Sequence, residues 1–121
     1  VGLLGADGRG LPLRLAGERP SPTAATTRVL ELREATGAFV FEEVPEPPVP
    51  SVLRGFSAPV RLEMERSPAE LAFLMAHDED AFNRWDAGEK LALSLLVAAV
   101  AAPESIGQSA GAAQYAEAWG R

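Results

Sequence analysis

The sequence changes character close to Ser67, and this change constrains the fold more than any other feature. Before Ser67, apolar and polar residues alternate with a period of two, interrupted by Gly and Pro. After it, Ala and Leu recur at helical spacing. A period of two is typical of strands and a period of 3.6 is typical of helices. We therefore predict antiparallel strands at sandwich-like spacing over residues 1–66, and α-helices over residues 67–121.

Two hairpins are predicted in the first part. Val1–Leu4 and Leu11–Leu15 flank Asp7-Gly8, a pair that tolerates the positive φ of a tight turn. Arg28–Glu34 and Ala38–Val44 flank a short glycine-containing turn and predict the second hairpin.

Two further segments complete the first part. PEPPVP (Pro45–Pro50) is expected to be extended polyproline II that joins no ladder, because proline lacks the N–H donor. We interpret it as a rigid connector rather than a ligand for a proline-binding domain. VRLEMER (Val60–Arg66) alternates strictly and predicts a half-buried strand.

The second part opens with a helix start signal. Ser67 is the predicted N-cap, Pro68 suits the first helical position, and Glu70 completes a capping box. A longer helix is expected from Asp78 to the residues before Pro103. We assign no role to residues 103–121.

Phe82 and Trp85 lie three residues apart on one face of the longer helix. This spacing leaves two interpretations open. The pair packs the helix onto its neighbour in the core, or it anchors an interface with another domain.

Composition excludes several classes of partner. Eleven basic against seventeen acidic residues give a net charge of −6, which works against nucleic acid and anionic membranes. Without cysteine, disulfides and thiolate metal sites are excluded. The longest apolar run, Leu91–Ala102, is too short to span a bilayer, and no signal peptide is visible. We expect a cytoplasmic protein that binds neither nucleic acid nor membrane.

A metal site is weighed at the only histidine, His77, which precedes Asp78, Glu79 and Asp80. Zinc and iron sites need two or three converging ligands, and the chain offers no second imidazole. The three carboxylates instead suit the start of a helix, where they stabilise the exposed N–H groups. We therefore predict no metal and no cofactor in this chain.

Catalytic arrangements are likewise not predicted. Ser57 and Ser94 have no G-x-S-x-G context, and either would depend on His77 as its base. Glu42 and Glu43 are adjacent on a predicted strand, so their side chains should point to opposite faces and cannot act together.

Two other motifs are discounted. Gly8-x-Gly10 is followed by a strand rather than a helix, which is wrong for dinucleotide binding. Arg54, Arg61 and Arg66 are interleaved with glutamates and are expected on a solvated sheet face.

Three stretches of the sequence together carry a family resemblance: FVFEEV (Phe39–Val44), PVPSVLRGFSAPVRLE (Pro48–Glu63) and LAFLMAHDEDAFNRWDA (Leu71–Ala87). They resemble the bacterial aminopeptidase N family, whose members are zinc metallopeptidases of the thermolysin-like gluzincin group. The order and spacing are compatible from Val1 to Leu96, and the combination of PVPS-x-LR-x-FSAPV with FNRWDA is specific.

The resemblance implies that this region belongs to a larger protein that removes N-terminal amino acids from peptides. In the family, the zinc ligands lie upstream in an H-E-x-x-H helix, which a chain with one histidine cannot contain. The resemblance implies that residues 1–66 belong to a β-sandwich domain and that residues 67–121 form the first helices of an α-helical domain. The chain would bridge the catalytic and helical domains and should be inactive alone.

The expected fold class is therefore β plus α: an antiparallel, immunoglobulin-like and incomplete β-sandwich followed by α-helices. We expect structural roles for Ser67 and Glu70 as a capping box and for Phe82 and Trp85 as packing anchors. A fragment should expose apolar surface around Phe82, Trp85 and Leu95–Leu96, or bury it in a homo-oligomer formed through a strand edge or the helices.

Two alternatives remain open. The first is a free-standing β-sandwich interaction module that binds a protein or peptide along an exposed strand edge. The second, ranked below it, is a small hydrolase that uses Ser57 and His77.

Overall fold

The computed structural model describes residues 1–56, 58–103 and 110–120. The chain forms two compact units, Val1–Ala58 and Pro59–Arg121. In chain order the elements are β1 (Gly2–Leu4), β2 (Val49–Ser51), a 3₁₀ turn (Arg54–Phe56), α1 (Pro68–His77), α2 (Ala81–Ala101) and α3 (Ala110–Trp119).

β1 is hydrogen-bonded on both of its sides. It pairs with β2 in antiparallel register, with Leu3 opposite Pro50. On its other side the Leu11 N–H donates to the Leu3 carbonyl at 2.8 Å, and Leu4 bridges Gly10. Leu3 and Leu4 are buried as a result, together with Leu13.

The turn of the first predicted hairpin is therefore present at Asp7-Gly8, but the predicted second strand, Leu11–Leu15, has no strand assignment, and Leu15 forms only an isolated bridge with Phe41. Gly8 adopts a φ of 80°, and its N–H donates to the Gly5 carbonyl at 2.9 Å. The Asp7 side chain accepts from the Arg9 N–H at 3.0 Å. A residue that tolerates positive φ is needed at this turn, and Gly8 supplies it.

The polyproline prediction for Pro45–Pro50 is wrong at its end, because Val49 and Pro50 belong to β2. The Leu3 carbonyl accepts the Leu11 N–H, so the backbone groups of Leu3 point away from β2. Leu3 and Pro50 are therefore a non-hydrogen-bonded pair of the antiparallel ladder. β2 therefore needs no N–H from Pro50. Proline is acceptable in this strand for that reason.

The second predicted hairpin is also wrong. Ala38–Val44 pairs with the segment Arg14–Ala16 instead, through Ala16 N–H to Val40 carbonyl at 2.8 Å, Glu42 N–H to Arg14 carbonyl at 2.9 Å and a Leu15–Phe41 bridge. Arg28 exchanges backbone hydrogen bonds with Val1. Both segments thus pair with partners distant in sequence, which local turn chemistry does not encode.

The strand predicted over Val60–Arg66 does not form. These residues have no strand or bridge assignment, and Val60 and Leu62 remain 59% and 40% exposed. Alternation shows which side chains a strand would bury, but a strand also needs a neighbouring edge for its backbone groups.

In the part of the first unit that the structure describes, the regular β-structure consists of one two-stranded antiparallel sheet and two isolated bridges. Antiparallel pairing agrees with the sequence. The two-layer sandwich is not confirmed by these elements.

α1 begins as the sequence indicates. Ser67 accepts the Glu70 N–H at 3.1 Å through Oγ, and the Glu70 carboxylate accepts the Ser67 N–H at 2.9 Å. Pro68 occupies the first turn, where its missing N–H leaves no donor unused. The helix buries Leu71, Leu74 and Met75.

α2 starts three residues later than predicted, at Ala81, because Asp80 is its N-cap and accepts the Asn83 N–H at 2.9 Å. It ends at Ala101, ahead of Pro103 as expected. Its inner face is small and packs closely against α1: Ala87 and Gly88 are buried, and Leu91 has no exposed surface.

α3 (Ala110–Trp119) packs against both other helices, and its Ala118 is buried. Tyr115 and Trp119, one turn apart, make an edge-on ring contact at 6.1 Å. The three helices therefore share one small core.

Candidate interaction surface and related proteins

The outer face of α2 carries the largest set of exposed apolar side chains in the second unit. We call this set the α2 stripe. It comprises Phe82, Trp85, Leu93, Leu96, Val97 and Val100. Positions 82, 85, 89, 93, 96 and 100 follow each other at intervals of three or four, so they lie along one side of the helix. Position 89 in this row is a charged residue, Glu89, and Val97 lies beside the row.

Phe82 and Trp85 stand at the N-terminal end of the α2 stripe. Their ring centroids are 5.6 Å apart with an interplanar angle of 40°, within the range of favourable aromatic pairs. Trp85 is 58% exposed and Leu96 is 64% exposed. The expected exposure at Phe82, Trp85 and Leu96 is present, while Leu95 is half-buried.

α2 is therefore apolar on two opposite sides. Leu91 and its buried neighbours face α1, and the α2 stripe faces away from them. Surface helices of soluble proteins usually have a polar outer face. Contiguous exposed apolar side chains on a soluble protein are a common feature of interaction surfaces, which makes the α2 stripe a candidate.

The region around His77 has a structural role in the turn between α1 and α2. The His77 ring lies 4.9 Å from that of Phe73, its neighbour one turn earlier. Asp78 is buried and accepts the Asp80 N–H at 2.9 Å. No group of three His, Cys, Asp or Glu that fits a metal ion occurs among the residues described.

Ser57 and Ser94 are the two serines that were considered as catalytic nucleophiles. Ser94 donates to the Leu91 carbonyl at 2.7 Å within its own helix, as expected for a helical serine. Ser57 lies outside the described residues.

Glu42 and Glu43 correct a sequence-based prediction. Both carboxylates reach one guanidinium: Arg14 Nη2 lies 3.0 Å from Glu42 Oε2 and 3.2 Å from Glu43 Oε1. Adjacent strand residues would point apart, but Glu43 has a φ of 58°, which interrupts the alternation. The two carboxylates thus act together as an ion-pair partner for Arg14.

This ion-pair cluster lines a groove of about 480 Å³ in the first unit. Arg28 and Glu18 also line this groove: Arg28 Nη1 donates to Glu18 Oε2 at 2.6 Å, and its Nη2 binds the other carboxylate oxygen. The Arg28 hydrogen bonds and the Leu15 N–H hold the pKa of Glu18 below its ordinary value. These charges bind one another, which stabilises the groove walls.

Sequence reasoning missed the burial of Arg54. This side chain is 8% exposed and donates to Ser51 Oγ and Thr27 Oγ1, each at 2.8 Å. It therefore ties β2 to a distant loop of the first unit instead of lying on a solvated face. Arg61 is exposed as expected.

Arg66 is also partly buried, in the second unit. Burial lowers the pKa of its guanidinium, and the carboxylates of Glu70, Asp78 and Asp86 oppose that effect. The only signal in the sequence was the density of acidic residues after position 66.

No helix in the described ranges combines the length and apolarity needed to cross a membrane.

Two family profiles match the chain in succession. Residues 1–65 match the family described as "Domain of unknown function (DUF3458) Ig-like fold". Residues 68–121 match the one described as "Domain of unknown function (DUF3458_C) ARM repeats". The chain therefore has an immunoglobulin-like region followed by a helical region.

Curated relatives carry the name Aminopeptidase N. The protein from Caulobacter vibrioides is 39% identical over 122 residues, covering 100% of this chain and 12% of the relative. The Escherichia coli protein is 40% identical over 85 residues, covering 70% of this chain and 9% of the relative. The chain thus spans about a tenth of the length of these relatives.

No solved structure matches the chain significantly. The two profiles and the relatives nevertheless agree with the resemblance of residues 39–87 noted above. The chain belongs to the DUF3458 family and is homologous to a segment of bacterial aminopeptidase N.

Proposed function

We propose that this chain is a non-catalytic structural segment of a longer aminopeptidase N, in which it joins the catalytic domain to the helical domain. The observation that carries the proposal is the identity of 39% along the entire chain to a protein eight times longer, as the 12% coverage implies. The α2 stripe supports it, because an exposed apolar face of this size fits a segment that packs against other parts of a larger protein.

The whole protein would remove N-terminal amino acids from peptides with a bound zinc ion. The residues of this chain do not fit a zinc site, since one histidine and no cysteine cannot supply its usual ligands. Zinc would therefore be held by another part of the longer protein. The cytoplasmic location stays a prediction.

Within this proposal the domain boundary lies between Arg66 and Ser67. The profile boundaries at residues 65 and 68 support it, whereas the compact units divide earlier, between Ala58 and Pro59. The capping box of Ser67 and Glu70 would then start the helical domain at a fixed residue, and Phe82 and Trp85 would anchor its packing against neighbouring parts of the protein.

A segment exchange tests the proposal. This chain replaces the matched segment of the Caulobacter vibrioides relative, and hydrolysis of an aminoacyl reporter is measured for the chimera and for the isolated chain. We expect the chimera to fold and turn over substrate, and the isolated chain with added zinc to show no turnover.

The control chimera carries Leu91→Asp, which places a charge where the side chain has no exposed surface. We expect it to lose folding and activity together. If the isolated chain hydrolyses the reporter and His77→Ala abolishes this, the structural proposal is wrong. If the unsubstituted chimera cannot fold, the free-standing interaction module becomes the better interpretation.

A further inference from the structure

The α2 stripe has a charge at its centre. Glu89 lies between Trp85 and Leu93 on the same side of the helix and is exposed. It has no ion-pair partner among the described residues, whereas nearby Asp86 binds Lys90 at 2.6 Å. Whatever covers the stripe must therefore accommodate a carboxylate.

A second copy of this chain is a poor occupant. Each copy carries a net charge of −6, so two copies repel each other. Suppose that two copies paired their stripes in antiparallel orientation, with residue 91 of each helix at the same level along the axis. Glu89 of each helix would then lie against Leu93 of the other. Burying an unpaired carboxylate on an apolar side chain is costly.

The helical family match indicates a different occupant. Residues 68–121 match a family of ARM repeats. In such arrays each repeat buries its apolar face only against its neighbours, and three or more repeats are needed for a stable core. An armadillo or HEAT repeat consists of two or three helices, so the three helices among the described residues make about one repeat, and α2 already has one apolar side covered by α1.

We propose that the α2 stripe binds a helix of an adjacent repeat in the same longer protein, and that this helix presents a Lys or Arg to Glu89. The inference rests on the proposed function. It adds the identity of the surface, the helical nature of its partner and the sign of the charge that the partner carries. The next repeat of the array would therefore pack on the outer face of α2.

Thiol labelling tests the docking directly, because the chain has no cysteine of its own. Leu96→Cys reports on the stripe, and Ser94→Cys reports on an exposed position of the same helix outside it. Labelling rates are measured by peptide-resolved mass spectrometry, in the isolated chain and in the Caulobacter vibrioides chimera.

In the isolated chain we expect both cysteines to react at similar rates. In the chimera we expect position 96 to react at least roughly tenfold more slowly, while position 94 changes little. Equal rates at position 96 in an active chimera overturn the docking alone. Protection of position 96 in the isolated chain overturns it too, in favour of self-association if the protection depends on concentration.

The charge at position 89 gives a second readout. Glu89→Lys should lower the melting temperature of the chimera and restore fast labelling at position 96, and Glu89→Gln should have a smaller effect in the same direction. Neither substitution should change the melting temperature of the isolated chain appreciably. An active chimera that Glu89→Lys leaves unchanged contradicts the basic partner, and a chimera that does not fold contradicts the proposed function itself.

Discussion

Met75 of α1 lies directly over Gly88 of α2, so that a Cβ at Gly88 would be 3.3 Å from Met75 Sδ and 3.5 Å from its Cγ. The missing side chain lets the two helices approach closely. The thioether is flexible and can yield by the few tenths of an ångström that a methyl group requires.

Gly88→Ala should therefore stabilise the chain by up to about 1 kcal/mol, since alanine favours a helix interior over glycine by that amount. Gly88→Leu should instead destabilise it by about 1–3 kcal/mol through overpacking. Urea unfolding followed by circular dichroism measures both changes. A large loss of stability on Gly88→Ala would show that Met75 cannot move.

Ser67→Ala should cost about 1 kcal/mol of unfolding free energy, because it removes the acceptor for the Glu70 N–H. Ser67→Asp is the matched control, since aspartate also serves as an N-cap and should retain most of the stability. Thermal unfolding of the three proteins distinguishes them. Equal losses for both substitutions would contradict a capping role for Ser67.

Leu91 and Val100 compare the two sides of α2. Leu91→Ala should destabilise the isolated chain by about 2–5 kcal/mol, because this side chain has no exposed surface. Val100→Ala should change stability by less than about 0.5 kcal/mol, because this residue is 84% exposed. Denaturant titration checks both. A large loss at Val100 would mean that the outer face is covered in the isolated chain.

The Glu18–Arg28 pair predicts an acid-sensitive contribution to stability. The Glu18 carboxylate accepts hydrogen bonds from Arg28, which have the larger effect, and from the Leu15 N–H. Both lower the pKa of Glu18 from the ordinary 4.5. A carboxyl with a lowered pKa stabilises the fold above its unfolded pKa, and that stability is lost as pH falls through the folded pKa. Unfolding should thus become easier below pH 4.5.

Glu18→Gln should flatten this part of the pH profile, because glutamine does not titrate. Added salt should reduce the effect, since both side chains are partly exposed to solvent. The comparison is made by denaturant unfolding across the acid range. An unchanged acid profile in Glu18→Gln would show that Glu18 is not the group responsible.

The helical part was predictable because its signals are local. Ser67, Pro68 and Glu70 determine the start of α1 through contacts within one turn. The start of α2 was misplaced because three consecutive acidic residues all suit a helix N-terminus. Only Asp80 has its side chain positioned to accept the Asn83 N–H, while Asp78 accepts within the turn.

The β part was less predictable because its pairings connect distant segments. Phe41 pairs with Leu15 instead of with the preceding segment, and Arg28 pairs with Val1. Glu43 shows the same limit on a smaller scale, since one residue with positive φ brings two neighbouring carboxylates onto Arg14. Periodicity carries no information on either arrangement.

The candidate surface was predictable only in part. The apolar spacing of Phe82, Trp85 and Leu96 is visible in the sequence, but which side of α2 faces α1 depends on the close packing at Gly88. That contact is decided by three-dimensional fit, which no periodic pattern specifies.

Pro50 in β2 has a consequence for how this protein behaves at high concentration. Opposite Leu3 its ring nitrogen points away from β1, towards the side on which another chain would have to add a strand. A ring in place of a donor removes one of the hydrogen bonds that an added strand would need, which disfavours growth of the sheet on this side. One imino acid therefore makes this side of β2 a poorer template for strand addition.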